Sequence, residues 1–231
     1  SMLQAHDYVE PDLNLGKDVS CLMLTKEFLE NKTSGSTNFL SKITGKPIQL
    51  MEQVHGVNIK TVSTCLSEPL EKTDGMFTKS KDFGLAVKTA DCIPLALSAE
   101  DGSEIALLHV GWKGLCGGII ENFLTKHAVE KKKYNAWIGP CISADNYEVG
   151  KEVFDSFCQP DPIAEINFKA LGKKKWKFDL RSEAARRLSG GNVNICSSED
   201  CTFKEEELYY SYRNNQSDRR MITLIWRNNE E

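Results

Sequence analysis

Three short stretches hold the residue types most able to do chemistry: Gln53-Val54-His55-Gly56, Thr89-Ala90-Asp91-Cys92 and His109-Val110-Gly111-Trp112-Lys113-Gly114. Each sets one soft or borderline metal ligand in an apolar, strand-like run that ends in small residues. Together they offer two imidazoles and a thiol, which leave the fourth position of a tetrahedral ion such as zinc open, as a catalytic site requires. Asp91, beside Cys92, is the candidate for a carboxylate that orients a histidine through its other ring nitrogen. The spacing is far too wide for a local finger, so the site exists only if distant segments converge. Taken singly, each ligand has an ordinary reading: a strand-end histidine with a polar partner, or a buried cysteine acting as a small hydrophobe.

Two further clusters could serve a substrate. Gly111, Gly114, Gly117 and Gly118 open the segment after His109, where a helix N-terminus could face phosphate or an oxyanion. The order is not that of a phosphate-binding Walker loop. Tyr209 to Arg213, with Tyr212 and Arg213 at its end, joins aromatics that could stack on a purine to a guanidinium that could grip phosphate. Close backbone packing remains open for the glycines, and core packing with an arginine–carboxylate pair for the aromatic cluster.

The elements that must position these residues are mostly short strands: Ile48–Gln53, Val57–Val62, Gly84–Lys88, Pro94–Ser98, Ile105–Val110, Ala136–Ile138 and Met221–Trp226. Helical spacing is found over Gly118–Lys132, Val149–Phe157 and Arg181–Leu188, the last stopped by Gly190-Gly191. Strands and helices interleave without strict alternation, which favours an α/β layered sandwich with mixed sheets over a doubly wound one. Residues 31–38, rich in Ser, Thr and Gly, form a low-complexity loop too short to be a domain linker. The 231 residues therefore read as a single domain, 1–231.

Composition narrows the function classes. The chain is 40% apolar and 27% charged, with a net charge of −4, which gives no electrostatic footprint for nucleic acid or an anionic membrane. The lysine runs at Lys131 to Lys133 and Lys173 to Lys175 are short and isolated. Eight scattered cysteines with no C-x-x-C suggest reduced thiols. No early apolar segment of the secretory kind is present, so a cytoplasmic protein is expected.

Read jointly, Glu52 to Gly56, Thr89 to Pro94, His109 to Gly114, Ile138-Gly139-Pro140, Tyr147 to Gly150, Cys201-Thr202 and Ser211-Tyr212-Arg213 resemble the YfiH-type family of laccase-domain polyphenol oxidases and purine nucleoside phosphorylases. Order and spacing agree from about residue 48 onward. The resemblance implies an α/β/β/α sandwich, shared with the catalytic domain of cytotoxic necrotizing factor toxins, and zinc held by His55, Cys92 and His109. It implies phosphorolysis of adenosine, inosine and methylthioadenosine, and deamination of adenosine to inosine. The partners are then a purine nucleoside and phosphate, and a homodimer is compatible with it. Residues 1–47 diverge: the family's N-terminal Asn-Arg pair is absent, and Lys26 is the candidate replacement for its arginine, with the charge kept and the bidentate fork lost. Lys113 stands where the family carries arginine.

On this reading Cys92 and His109 are catalytic as well as metal ligands, Asp91 is the candidate acid–base group, and Lys113, Arg213, Tyr212 and Lys26 contact substrate. Cu2+ is the alternative metal, linked to phenol oxidation, but the four histidines, His6, His55, His109 and His127, are too few for a multicopper set. Three other readings stand beside it. They are a metal-free Cys92–His109 hydrolase, a cell-wall precursor editing enzyme, and a nucleoside-binding module without turnover.

Overall fold

The computed structural model describes residues 3–33, 38–128 and 132–230. The centre of the Ser/Thr/Gly loop and Lys131 of the first lysine run lie outside the described residues, and the helix expected to reach Lys132 ends earlier, at Lys126, capped by His127.

The N-terminal half holds strands β1 (Tyr8–Val9) and β2 (Val19–Leu24), helices α1 (Lys26–Asn31) and α2 (Asn38–Thr44), then β3 (Ile48–Gln49), β4 (Ile59–Thr61), β5 (Gly75–Thr78), β6 (Gly84–Thr89), β7 (Ile93–Ala99) and β8 (Ile105–Val110). After it come α3 (Trp112–Gly117), α4 (Ile119–Lys126), β9 (Tyr134–Ile138), β10 (Glu148–Gly150), α5 (Lys151–Cys158), β11 (Phe168–Gly172), β12 (Lys175–Phe178), α6 (Leu180–Leu188), β13 (Val193–Ser197), α7 (Tyr212–Asn215) and β14 (Met221–Arg227).

Two mixed sheets carry the fold, in the orders β1-β2-β14-β6-β3 and β13-β9-β7-β8-β5-β4, with a small antiparallel sheet β10-β12-β11 beside them. Side-chain alternation explains the layering. Met23, Leu85, Val87, Met221 and Ile225 of the first sheet meet Met76, Ala96, Ile105, Leu107 and Trp137 of the second in one core. The outer face of the first sheet packs Leu22, Leu24, Ala86 and Leu224 on Phe28 and Leu40 of α1 and α2. The outer face of the second packs Leu95, Leu97, Leu108 and Val110 on α3, α4, α5 and α6 through Leu115, Ile119, Phe123, Phe157 and Leu188. This is the expected α/β/β/α arrangement. Strands β7 and β8 are buried along their whole length, which is why they read as continuous apolar runs rather than as alternation.

Differences from the sequence reading have local causes. The strand expected over Ile48–Gln53 pairs only at Ile48–Gln49. Further on, the Gln53 side chain substitutes for a backbone: its Nε2 donates to Lys88 O at 2.7 Å and its Oε1 accepts from Lys88 N at 2.9 Å. The strand expected over Val57–Val62 is shorter, Ile59–Thr61. Val149 belongs to β10, and the helix begins at Lys151. The glycine-rich segment forms two short helices, because Gly118 adopts φ 99° and ends α3 before α4 begins. Pro94 is tolerated because pairing of β7 with β9 starts only at Leu95.

Candidate metal centre

His55, Cys92 and His109 converge. One ligand atom from each lies within 4.8 Å of the others. The Cys92 Sγ to His55 Nε2 distance is 4.0 Å, and the two imidazoles meet edge to face with centroids 4.7 Å apart. A tetrahedral zinc with ordinary bond lengths holds such donors roughly 3.3–3.6 Å apart, so small side-chain rotations close the gap. Two imidazoles and a thiolate suit zinc by donor type. Among the described residues this is the one group of three metal-capable side chains so placed.

Each ligand is set by a strand end. His109 lies next to last in β8, opposite Pro94 of β7, and shares its face with Ile105 and Leu107, so its ring points between the sheets. Cys92 immediately precedes β7. His55 sits between β3 and β4 with φ 61°, and Asp91 has φ 96°. Such backbone costs of order 1–3 kcal/mol per non-glycine residue and persists where surrounding contacts enforce it.

For His55 the enforcing group is Asp74, a fully buried residue ahead of β5. Its Oδ1 accepts from the backbone N–H groups of Val54 at 3.1 Å and Gly56 at 3.0 Å, and its Oδ2 from that of His55 at 2.9 Å. Oδ2 also bonds His109 Nδ1 at 2.7 Å, which leaves Nε2 to face the other ligands. Burial pushes the Asp74 carboxyl up, but the His109 hydrogen bond and the N–H groups of Gly56 and Val54 outweigh it and hold it below the ordinary carboxylate range. Burial alone would raise the Cys92 thiol; His109 and His55 instead bring it down to about 6. Burial lowers His109, and the Cys92 thiolate and Asp74 reverse that, carrying it up to about 9. Without metal the pair is a thiolate beside an imidazolium.

Gly111 closes the site. A Cβ there would lie 2.9 Å from Cys92 Sγ and 3.3 Å from His55 Cδ2, so any other residue would displace two ligands at once.

The centre opens on a cavity of about 610 Å³ whose wall includes Gln53, Asp91, Tyr147, Tyr212 and the cations Lys88, Arg213 and Arg220. Asp91 does not orient a histidine, contrary to the expectation; Asp74 does. The Asp91 carboxylate faces the C-terminal segment, accepting from Thr202 Oγ1 at 2.7 Å, Ser211 Oγ at 2.7 Å and Arg213 N at 2.7 Å. Arg213 and Tyr212 reach the cavity, whereas Lys26 and Lys113 are absent from its wall. Lys26 begins α1, donates to Glu206 O at 3.2 Å and lies over the Tyr210 ring in a separate groove. Lys113 lies 5.8 Å from the ring centroid of Trp112. Sequence reasoning missed Asp74, Lys88 and Arg220. An Asp-Gly pair before Met76 reads as a plain turn, and a lysine at an exposed strand end carries no signal. His127 stacks near Phe77 and Phe123, away from the ligand triad, so the histidines do not assemble a multicopper cluster.

The family model described as multi-copper polyphenol oxidoreductase laccase matches residues 28–228. The purine nucleoside phosphorylases YfiH of Shigella flexneri and of Escherichia coli K12 are each 35% identical over 184 residues, covering 78% of this chain and 74% of theirs. The purine nucleoside phosphorylase RC0672 of Rickettsia conorii is 38% identical over 174 residues, 72% of this chain and 68% of its own. The crystal structure of Neisseria meningitidis protein NMB0706 superposes with a TM-score of 0.88 at 27% identity, over 96% of this chain and all of that one. YlmD from Geobacillus stearothermophilus has the same fold, with a TM-score of 0.84 at 22% identity over 99% of this chain and 98% of its own. The chain belongs to the multi-copper polyphenol oxidoreductase laccase family, in its YfiH-type branch.

Proposed function

We propose that the chain is one YfiH-type catalytic domain and a zinc-dependent purine nucleoside phosphorylase, acting on adenosine, inosine and methylthioadenosine and also deaminating adenosine. The observation that carries this is the convergence of His55, Cys92 and His109 on the wall of a cavity lined by tyrosines and cations. The names of its relatives support the same reading.

When bound, zinc would supply Lewis acidity and activate water near neutral pH. The chain's own groups do the rest. Asp74 fixes the His109 tautomer by accepting from Nδ1 and, through the same carboxylate, holds the backbone that presents His55. Asp91 anchors the backbone of Arg213, whose guanidinium lies 5.0 Å from the Tyr147 ring centroid and donates Nη1 to Glu148 O. The remaining N–H groups form a fork suited to phosphate. Tyr212, exposed at the cavity wall, offers a ring face for a purine. Asp91 has no oxygen free of protein donors, so it is a positioning residue rather than the acid. Copper chemistry of the multicopper type lacks the histidines it needs.

One observation favours a second reading, the metal-free Cys–His hydrolase: the depressed Cys92 thiol beside the elevated His109 is also how a thiolate nucleophile is activated. It leaves His55 and its strained backbone without a task. Chromatography of adenosine incubated with zinc-loaded protein, with and without phosphate, tests the proposal. Adenine formed only with phosphate is the expected phosphorolysis product, and inosine the deamination product. Neither product from fully loaded protein would refute the reading.

A further inference from the structure

Lys88, Arg213 and Arg220 line one cavity, and among the described residues none of them has a carboxylate within ion-pair distance. Other arginines of the chain behave differently. Arg219 pairs with Glu30 at 3.6 Å, and Arg186 and Arg187 both pair with the buried Glu183. Asp91, the carboxylate on the cavity wall, is committed to Thr202, Ser211 and the Arg213 backbone.

The placement of Lys88 and Arg220 follows from strand register. Lys88 lies opposite Ile222 in the β6–β14 pair, and Arg220 lies two residues before Ile222. Continued by that one step, the register sets Arg220 diagonally across from Lys88 on the same face, at a spacing of roughly 7–8 Å that long side chains span. Backbone contacts hold both in position. Gln53 clamps the main chain of Lys88, and Arg220 Nη1 donates to Ser217 O at 2.8 Å and Arg219 O at 2.9 Å while its guanidinium lies 5.7 Å from the Tyr212 ring centroid.

Three positive charges held together without a counter-charge repel one another, and an oxyanion that accepts from all three relieves that repulsion. We propose that Lys88 and Arg220 complete, with Arg213, a subsite for a phosphate dianion. This rests on the nucleoside reading of the cavity only for its use: free phosphate would be the second substrate, and a phosphate carried by a nucleotide would be a substrate group.

The test is calorimetry on zinc-loaded wild type and on Arg220→Gln, Lys88→Gln and Arg219→Gln variants matched for zinc content and checked for folding by circular dichroism. Each is titrated with inorganic phosphate and, separately, with adenosine and adenosine 5′-monophosphate. Loss of one charged hydrogen-bonding group should weaken phosphate binding roughly ten- to hundredfold in the first two variants, with adenosine affinity retained and Arg219→Gln unchanged. If the bound phosphate belongs to a nucleotide, the same two variants instead erase a preference for the monophosphate over adenosine. Phosphate and monophosphate titrations that are the same in wild type and both variants would overturn the subsite, and Lys88→Gln keeps this decisive should Arg220→Gln disturb its loop. Phosphate binding that obeys these rules without any adenine formation would refute the phosphorylase reading and leave the subsite standing.

Discussion

Asp74 and His109 share a 2.7 Å hydrogen bond between Oδ2 and Nδ1, and the Asp74 side chain is fully buried while that of His109 is nearly so. The same carboxylate gathers the N–H groups of residues 54–56. Two ligands from segments more than fifty residues apart in the chain are thereby fixed by one side chain. Asp74→Asn should weaken zinc affinity about ten- to hundredfold, the usual effect of losing such a partner. Competition against a chromophoric chelator measures it; affinity equal to wild type would show that Asp74 does not hold the site.

Gly111→Ala should cost metal affinity more than it costs the fold. The added Cβ meets Cys92 Sγ and His55 Cδ2, side chains that can rotate, rather than backbone that cannot. Zinc content after dialysis should fall sharply while the far-ultraviolet spectrum stays native. Full zinc retention would argue that the three donors sit further from Gly111 than described.

In the metal-free protein Cys92 should alkylate as a thiolate with a midpoint near pH 6, well below an ordinary cysteine at about 8.5, and zinc should protect it. Linkage makes a second, opposite statement about stability. The depressed Cys92 contributes stability that is complete above its ordinary 9.0 and lost as pH falls through about 6. The raised His109 contributes stability that is complete below 6.5 and lost as pH rises through about 9. Between pH 6.5 and 9 the slopes cancel, so this pair should leave the pH dependence of thermal stability flat there. A replacement of both residues that introduced or removed a slope in this window would contradict the paired assignment.

The ligand triad was legible because each member lies at or beside the end of a short apolar strand whose pattern is strong: His109 in β8, Cys92 before β7, His55 beyond β3. A layered α/β sandwich with mixed sheets was legible in the same strands, whereas the α/β/β/α order came from the family resemblance. Asp74 was not legible, because the burial that makes it important comes from tertiary packing of β5 against β8, and β5 itself is only four residues long. Lys26 was misplaced for a related reason: charge type can be read from sequence, but the groove it faces, lined by Glu27, Glu30, Glu206 and Glu207, depends on the C-terminal segment. Asp91 was correctly singled out and given the wrong partner, since its hydrogen bonds run to residues more than a hundred positions away.

Asp91→Ala should destabilise the protein rather than shift the pH profile of turnover. It removes the acceptor for Thr202, Ser211 and Arg213 N and puts alanine at φ 96°. A loss of about 2–4 kcal/mol is expected from a broken buried network, with faster hydrogen exchange over residues 201–213. An unchanged melting temperature with a displaced acid limb of turnover would instead make Asp91 the proton donor.

The most direct measurement is product formation from adenosine and phosphate by zinc-loaded wild type and by Cys92→Ser, each with its zinc content determined. Wild type should release adenine and ribose 1-phosphate, and Cys92→Ser, with the thiolate ligand gone, should lose both zinc and turnover. Undiminished turnover in Cys92→Ser, or no product from fully loaded wild type, would contradict a zinc-dependent nucleoside phosphorylase centred on His55, Cys92 and His109.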